Sequence, residues 1–144
     1  MQGIIFIGLQ ASGKSTFFLQ HFYKTHLRLS MDMLRTRHRE KLLFEAYLSA
    51  KQPVVIDNTN PTQTDRARYI SAFKAHQFEV IGYYFDVPFA ECLERNALRI
   101  GKELIPEAGL KTVAKQMQLP SLEEGFNRIY RVQLQQNQFV IGDF

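Results

Sequence analysis

Cysteine is nearly absent from this chain: Cys92 stands alone among 144 residues. No disulfide can form within it, a disulfide-stapled secreted scaffold is excluded, and the composition fits a reducing compartment, so a cytoplasmic protein is expected. Cys92 falls in a helix-like stretch, where a lone cysteine reads as a small packed hydrophobe rather than a nucleophile. No apolar run approaches the roughly 18 residues of a membrane span, and the first residues lack the basic start of a signal peptide. The expectation is a protein with no membrane partner. The four histidines, His21, His26, His38 and His76, show no metal-ligand spacing with one another or with Cys92. Repeats and low-complexity tracts are missing too. At 144 residues the chain is expected to form one domain, residues 1–144, with no room for a second. A net charge of +4 attracts polyanions only mildly, and it does not separate nucleotide binding from nucleic-acid binding.

What the chain does hold is a run of eight residues, Gly8-Leu9-Gln10-Ala11-Ser12-Gly13-Lys14-Ser15, that reads G-x-x-x-x-G-K-S directly after the apolar stretch Ile4-Ile5-Phe6-Ile7. A buried strand feeding such a run marks a phosphate-binding loop. Gly8 and Gly13 let backbone N–H groups converge on a phosphate, and the helix that follows adds its positive end. Ala11, Ser12, Gly13, Lys14, Ser15 and Thr16 complete the expected cradle. Lys14 is expected to reach the β- and γ-phosphates as a point charge, and the Ser15 hydroxyl to take a place on Mg²⁺. ATP or GTP is implied. Phe17, Phe18 and Phe22 lie mostly on one face of the helix behind the loop and read as core.

Strands are expected at residues 3–7, 27–30, 53–57 and 78–85. Helices are expected at about 14–24, 33–50, 62–76, 88–99 and 108–118. Thr62 with Asp65 resembles a helix-starting capping box, and Ser121 with Glu124 a second one. Gly101 and Pro106 break the stretch 100–107, which reads as a mobile segment, and 129–134 and 139–141 read as terminal strands. Alternating strands and helices of this length argue an α/β fold with a central parallel sheet covered by helices on both faces. Ligands bind such sheets beyond the carboxyl ends of the strands. Three strand ends carry polar residues: the phosphate loop after the first, Asp32 and Arg35 after the second, Asp57 and Asn58 after the third.

Asp32 and Arg35, a D-x-x-R pair, stand about one helical turn apart. A carboxylate beside a phosphate loop can take a proton from an acceptor hydroxyl, and a neighbouring arginine can grip an anionic group on that acceptor. Asp57 ends an apolar strand, where it either holds a Mg²⁺-bound water and orients the acceptor or caps the next turn with Asn58. Arg35, Arg37, Arg39 and Lys41 form one basic cluster, and Arg95, Arg99 and Lys102 another.

Taken together, GLQASGKS at 8–15, Asp32 with Arg35, DNTNPT at 57–62 followed by Arg66 and Arg68, FDVP at 85–88, CLERNALR at 92–99 and PSLEEGF at 120–126 resemble the 5′-hydroxyl kinase domain of the polynucleotide kinases, within the phosphate-loop kinases. The pieces stand in family order and cover most of the chain. The resemblance implies a three-layer P-loop NTPase kinase fold with a short lid. It implies that Lys14 and Ser15 bind ATP phosphates and Mg²⁺, that Asp32 is the general base on the 5′-hydroxyl, and that Arg35 contacts the acceptor's phosphate. Asp57 and Asn58 fall on the acceptor side, with Asp57 also facing the metal. Arg99 would stabilise the transferring phosphoryl group, and Arg95 would lie over adenine. The lid continues through Ile100-Gly101-Lys102 and is short. No 3′-phosphatase motif of the D-x-D-x-T type occurs, so an end-healing kinase of this kind would act alone or with a separate phosphatase or ligase partner.

Two other readings use the same residues. A phosphate-loop kinase of a small-molecule hydroxyl shares Asp32, Lys14, Ser15 and Arg99 but depends little on Arg35. A nucleotide-binding switch without an acceptor makes Asp32 dispensable.

Overall fold

The computed structural model describes residues 1–144 and contains a six-stranded sheet flanked by helices. In chain order the elements are β1 (Gln2–Ile7), α1 (Lys14–His21), β2 (Leu27–Leu29), α2 (Met31–Leu34), α3 (Arg37–Ser49), β3 (Val54–Ile56), α4 (Gln63–Ala75), β4 (Glu79–Phe85), α5 (Phe89–Ala97), α6 (Glu107–Gln116), β5 (Arg128–Gln135) and β6 (Gln138–Asp143). Short 3-10 turns lie at Gly101–Glu103 and Leu122–Glu124.

The sheet order is β2-β3-β1-β4-β5-β6, with the first five strands parallel. β6 departs from the expected parallel arrangement and pairs antiparallel with β5. Gln136 and Asn137 between them both have positive φ, 52° and 60°, the backbone shape of a tight two-residue hairpin, which reverses the chain in place.

The central strand β1 is apolar on both faces because both are covered. Ile5 and Ile7 face Phe44 and Leu48 of α3 and Tyr69, Ile70 and Phe73 of α4. Ile4 and Phe6 face Phe17, Phe18 and Phe22 from α1 and its end, as the aromatic spacing predicted. Gly3 is required at this crossing, since a Cβ there would lie 2.5 Å from the Phe73 ring. A third cluster, Leu9, Val87, Cys92 and Leu110, seats α5 and α6 over the carboxyl edge of the sheet. Cys92 is fully buried, and burial pushes its thiol up to about 11, so it stays protonated and packs as a hydrophobe.

Local chemistry moves several expected boundaries. The helix expected over 33–50 is two helices, because Arg35 takes φ 71° and Thr36 then caps α3 through a hydrogen bond from Arg39 N–H. α1 stops at His21, short of residue 24. Thr62 and Asp65 form a full capping box on α4. Ser121 and Glu124 form one as well, but Gly125 at φ 118° ends that element after a single 3-10 turn. No helix is long and apolar enough to cross a membrane.

Candidate active site

The phosphate loop turns from β1 into α1 in six residues, Gly8 to Gly13, and is held from outside and within. Gly8 N–H donates to Thr59 O at 3.0 Å, fixing the loop to the strand-three loop. Ser12 closes it on itself, its hydroxyl donating to Leu9 O at 2.7 Å. Ala11 at φ 61° and Gly13 at φ 94° supply the left-handed turns, and a Cβ on Gly13 would meet the Phe139 ring at 2.9 Å. The backbone N–H groups of Gly13, Lys14, Ser15 and Thr16 have no protein acceptor. Four donors without an acceptor are therefore clustered at the positive end of α1, which is the chemistry of an anion cradle.

Lys14 is 9% exposed and folds back over the loop, its Nζ donating to Gly8 O and Leu9 O at 3.1 and 2.6 Å. Burial lowers its pKa to about 8, partly offset by Asp57, and the charges of Arg99 and Asp32 also act on it. Asp57, Asp32 and Arg99, which come from three separate segments, thus each lie within electrostatic reach of Lys14.

Ser15 Oγ donates to Asp57 Oδ2 at 3.3 Å. The two residues expected to face a metal are therefore in contact and offer two hard oxygen donors side by side, a donor chemistry that would suit Mg²⁺. Sequence reasoning passed over a third member. Arg28, on β2, places Nε 2.7 Å from Asp57 Oδ2 and Nη2 2.8 Å from Ser15 Oγ. The sequence holds no spacing signal for it; only its register beside Val55 of β3 brings it there.

Asp32 lies in the single turn of α2 and Arg35 at its broken end; both are exposed and neither side chain has a hydrogen bond or ion pair. The break at Arg35 means the two are not held on one helical face as expected. Asn58 turns the other way: its Oδ1 accepts from Met31 N–H at 3.0 Å and its Nδ2 donates to Glu40 and Tyr69. Glu40 is 4% exposed and also accepts from Tyr69 OH and Arg37. Burial raises the Tyr69 pKa, and the Glu40 charge adds to that. This knot fixes the turn that presents Asp32.

Over the loop, Arg95 Nε donates to Ala11 O at 2.9 Å, so the lid helix α5 touches the cradle directly. Arg99 is half-buried just beyond α5, its Nη1 donating to Glu103 O at 3.3 Å. The segment expected to be mobile is tied at Ile105, whose N–H and C=O both bond the buried Asn96 carboxamide, at 3.0 and 2.6 Å. Arg66 is fully buried, with a bidentate pair to Glu124 at 2.8 and 3.0 Å and bonds to the carbonyls of Asn60, Pro61 and Gln118. It clamps the strand-three loop, where Asn60 in turn donates to Phe6 O at 2.8 Å.

Residues 4–120 match the AAA domain family. The chain is 32% identical over 136 residues to the bifunctional polynucleotide phosphatase/kinase of Schizosaccharomyces pombe, covering 90% of this chain and 33% of that protein. It therefore spans about a third of the length of this curated relative. Among solved structures, a gluconokinase from Sinorhizobium meliloti superposes with a TM-score of 0.63 at 17% identity, covering 92% of this chain and 82% of that one. A sugar kinase from Janibacter sp. gives 0.67 at 15% identity, covering 92% and 85%. The fold is that of the P-loop kinases.

Proposed function

The chain belongs to the AAA domain family, and from that premise we propose that it is an ATP-dependent kinase of the 5′-hydroxyl ends of DNA or RNA. The observation that carries the reading is Asp32: an exposed, unpaired carboxylate at a strand end, close enough to Lys14 for its charge to act there, with the unpaired Arg35 beside it. The polynucleotide phosphatase/kinase at 32% identity supports the acceptor class.

In this mechanism the free N–H groups of residues 13–16 and the Lys14 ammonium bind the β- and γ-phosphates, Lys14 exchanging its loop carbonyls for phosphate oxygens. Ser15 and Asp57 would hold Mg²⁺, which when bound neutralises phosphate charge. Asp32 Oδ accepts the proton of the acceptor hydroxyl as it attacks, while Arg35 holds the acceptor's phosphate. Arg99 delivers positive charge to the equatorial oxygens, where phosphoryl transfer concentrates its electrostatic demand. Arg95, already on Ala11, covers the adenine side. Asn58 acts here by shaping the Asp32 turn. A separate phosphatase or ligase partner and a cytoplasmic setting belong to the same proposal.

A kinase of a small-molecule hydroxyl is the second reading, favoured by the openness around Asp32, where Arg35 is the one unpaired cation. Transfer of labelled γ-phosphate from ATP with Mg²⁺ separates them, with 5′-hydroxyl DNA and RNA oligonucleotides offered beside nucleosides and sugars. Labelled oligonucleotide that disappears with Asp32→Asn is the expected result. Label only in a small molecule replaces the acceptor class, and ATP binding with no acceptor labelled overturns the kinase reading.

A further inference from the structure

Arg28 has no part in the scheme above, yet it makes the tightest polar contacts at the place where a metal would sit. Its Nε donates to Asp57 Oδ2 at 2.7 Å and its Nη2 to Ser15 Oγ at 2.8 Å, while Ser15 Oγ itself donates to that same Oδ2 at 3.3 Å. The remaining guanidinium nitrogen, Nη1, is 3.1 Å from Met33 Sδ, and the group lies 6.0 Å from the Phe18 ring centroid. The side chain is 24% exposed and Asp57 3%, so this is a mostly desolvated pair rather than a surface one.

We propose that Arg28 guards the Ser15–Asp57 position, holding both oxygens until nucleotide binds, so that divalent metal is admitted only together with nucleotide phosphates. The inference rests on the reading of Ser15 and Asp57 as the metal-facing pair. The guanidinium holds Ser15 Oγ and Asp57 Oδ2, two of the oxygens a metal would use, and leaves Asp57 Oδ1 without a partner. Competition between a metal and Arg28 is therefore one of charge: both are cations, and a single carboxylate stands between them. In the empty protein one carboxylate is offered, and Arg28 already neutralises it, so an incoming divalent ion would strand a guanidinium in a partly buried site. Phosphates change the balance, because they bring several negative charges to the cradle at once and give metal and arginine separate partners. β2 makes the exchange mechanically simple: Arg28 sits near the edge of the sheet, and its outer nitrogen faces a thioether rather than a carboxylate that would hold it.

The test is Mn²⁺ binding to the nucleotide-free protein, followed by electron paramagnetic resonance, for the wild type, Arg28→Gln, and Arg28→Gln combined with Asp57→Asn. Arg28→Gln is expected to bind Mn²⁺ at least about tenfold more tightly than the wild type, equivalent to about 1.4 kcal/mol, and the double variant to lose that gain. Equal Mn²⁺ affinity of wild type and Arg28→Gln overturns the inference, as does a gain that survives Asp57→Asn. If Arg28→Gln does not fold, the Arg28 Nε–H resonance of the wild type decides. It should persist with Mg²⁺ alone and be lost or shifted with Mg²⁺ and ADP together; a shift with Mg²⁺ alone refutes the proposal. ADP binding to the wild type, measured separately in Mg²⁺, distinguishes the two levels: its absence defeats the nucleotide reading itself, whereas its presence with unchanged Mn²⁺ affinity defeats only the role of Arg28.

Discussion

Nucleotide affinity should fall as pH rises above about 8, and Lys14 sets the midpoint. Its ammonium is buried among loop carbonyls, and burial lowers its pKa from 10.5 to about 8 in the empty protein. Phosphate binding needs the charged form, so bound phosphate draws the pKa back up and binding takes up a proton wherever free Lys14 is neutral. At pH 7 about nine in ten molecules carry the charge; at pH 9 about one in eleven does. The apparent Kd for ADP in Mg²⁺ should therefore be nearly flat from pH 6.5 to 7.5 and roughly tenfold weaker at pH 9 than at pH 7. Isothermal titration calorimetry in two buffers of different ionisation enthalpy reads both the Kd and the proton uptake. The stability of the empty protein should move the opposite way. The unfolded chain keeps the lysine pKa near 10.5, so between about 8 and 10.5 it binds more protons than the native state, and stability rises with pH in that window. A Kd that stays constant to pH 9, with no proton uptake, would refute the placement of Lys14 as the buried phosphate cation.

Asp32→Asn should lower kcat by about 10² to 10⁴ while leaving the Kd for ATP unchanged, checked by single-turnover transfer beside calorimetry; equal loss of both would make Asp32 structural. Arg35→Glu should raise the KM for an oligonucleotide acceptor far more than that for ATP, and the reverse ranking would count against acceptor contact. Arg66→Met should cost about 3–5 kcal/mol in urea unfolding because it leaves Glu124 buried without its partner, and adding Glu124→Leu should recover much of that loss.

The elements that carry strong local signals were readable before any coordinates. β1 and the phosphate loop follow from an apolar run and a fixed motif, α4 from its capping box, and the Phe17 and Phe22 face from helical spacing. Each depends on residues close in sequence, so the pattern carries the whole physical cause. The break at Arg35 was not readable, because it depends on Thr36 capping α3 more favourably than the helix continues, a balance of about 1 kcal/mol. The antiparallel turn of β6 rests on positive φ at Gln136 and Asn137, where no glycine announces it. Arg28 was invisible for a different reason: its partners Ser15 and Asp57 are 13 and 29 residues away, and only strand register brings them together.

The arginines make the general point, because one residue type serves three ends and its surroundings decide which. Arg66 is fully buried, and its bonds to Glu124 and three carbonyls engage all three of its guanidinium nitrogens; it holds the strand-three loop in place. The Arg35 side chain has no partner, at a backbone φ that ends a helix, so its charge is available to whatever approaches Asp32. Arg28 lies between these limits, paired but with 24% of its side chain still in solvent, and its partners are the two oxygens that phosphate-loop chemistry needs for a metal. A guanidinium that is locked cannot switch, and one that is free has nothing to release. Partial burial on a carboxylate is the one environment of the three in which binding and displacement can be coupled, and that coupling is what the proposed dependence of metal entry on nucleotide requires.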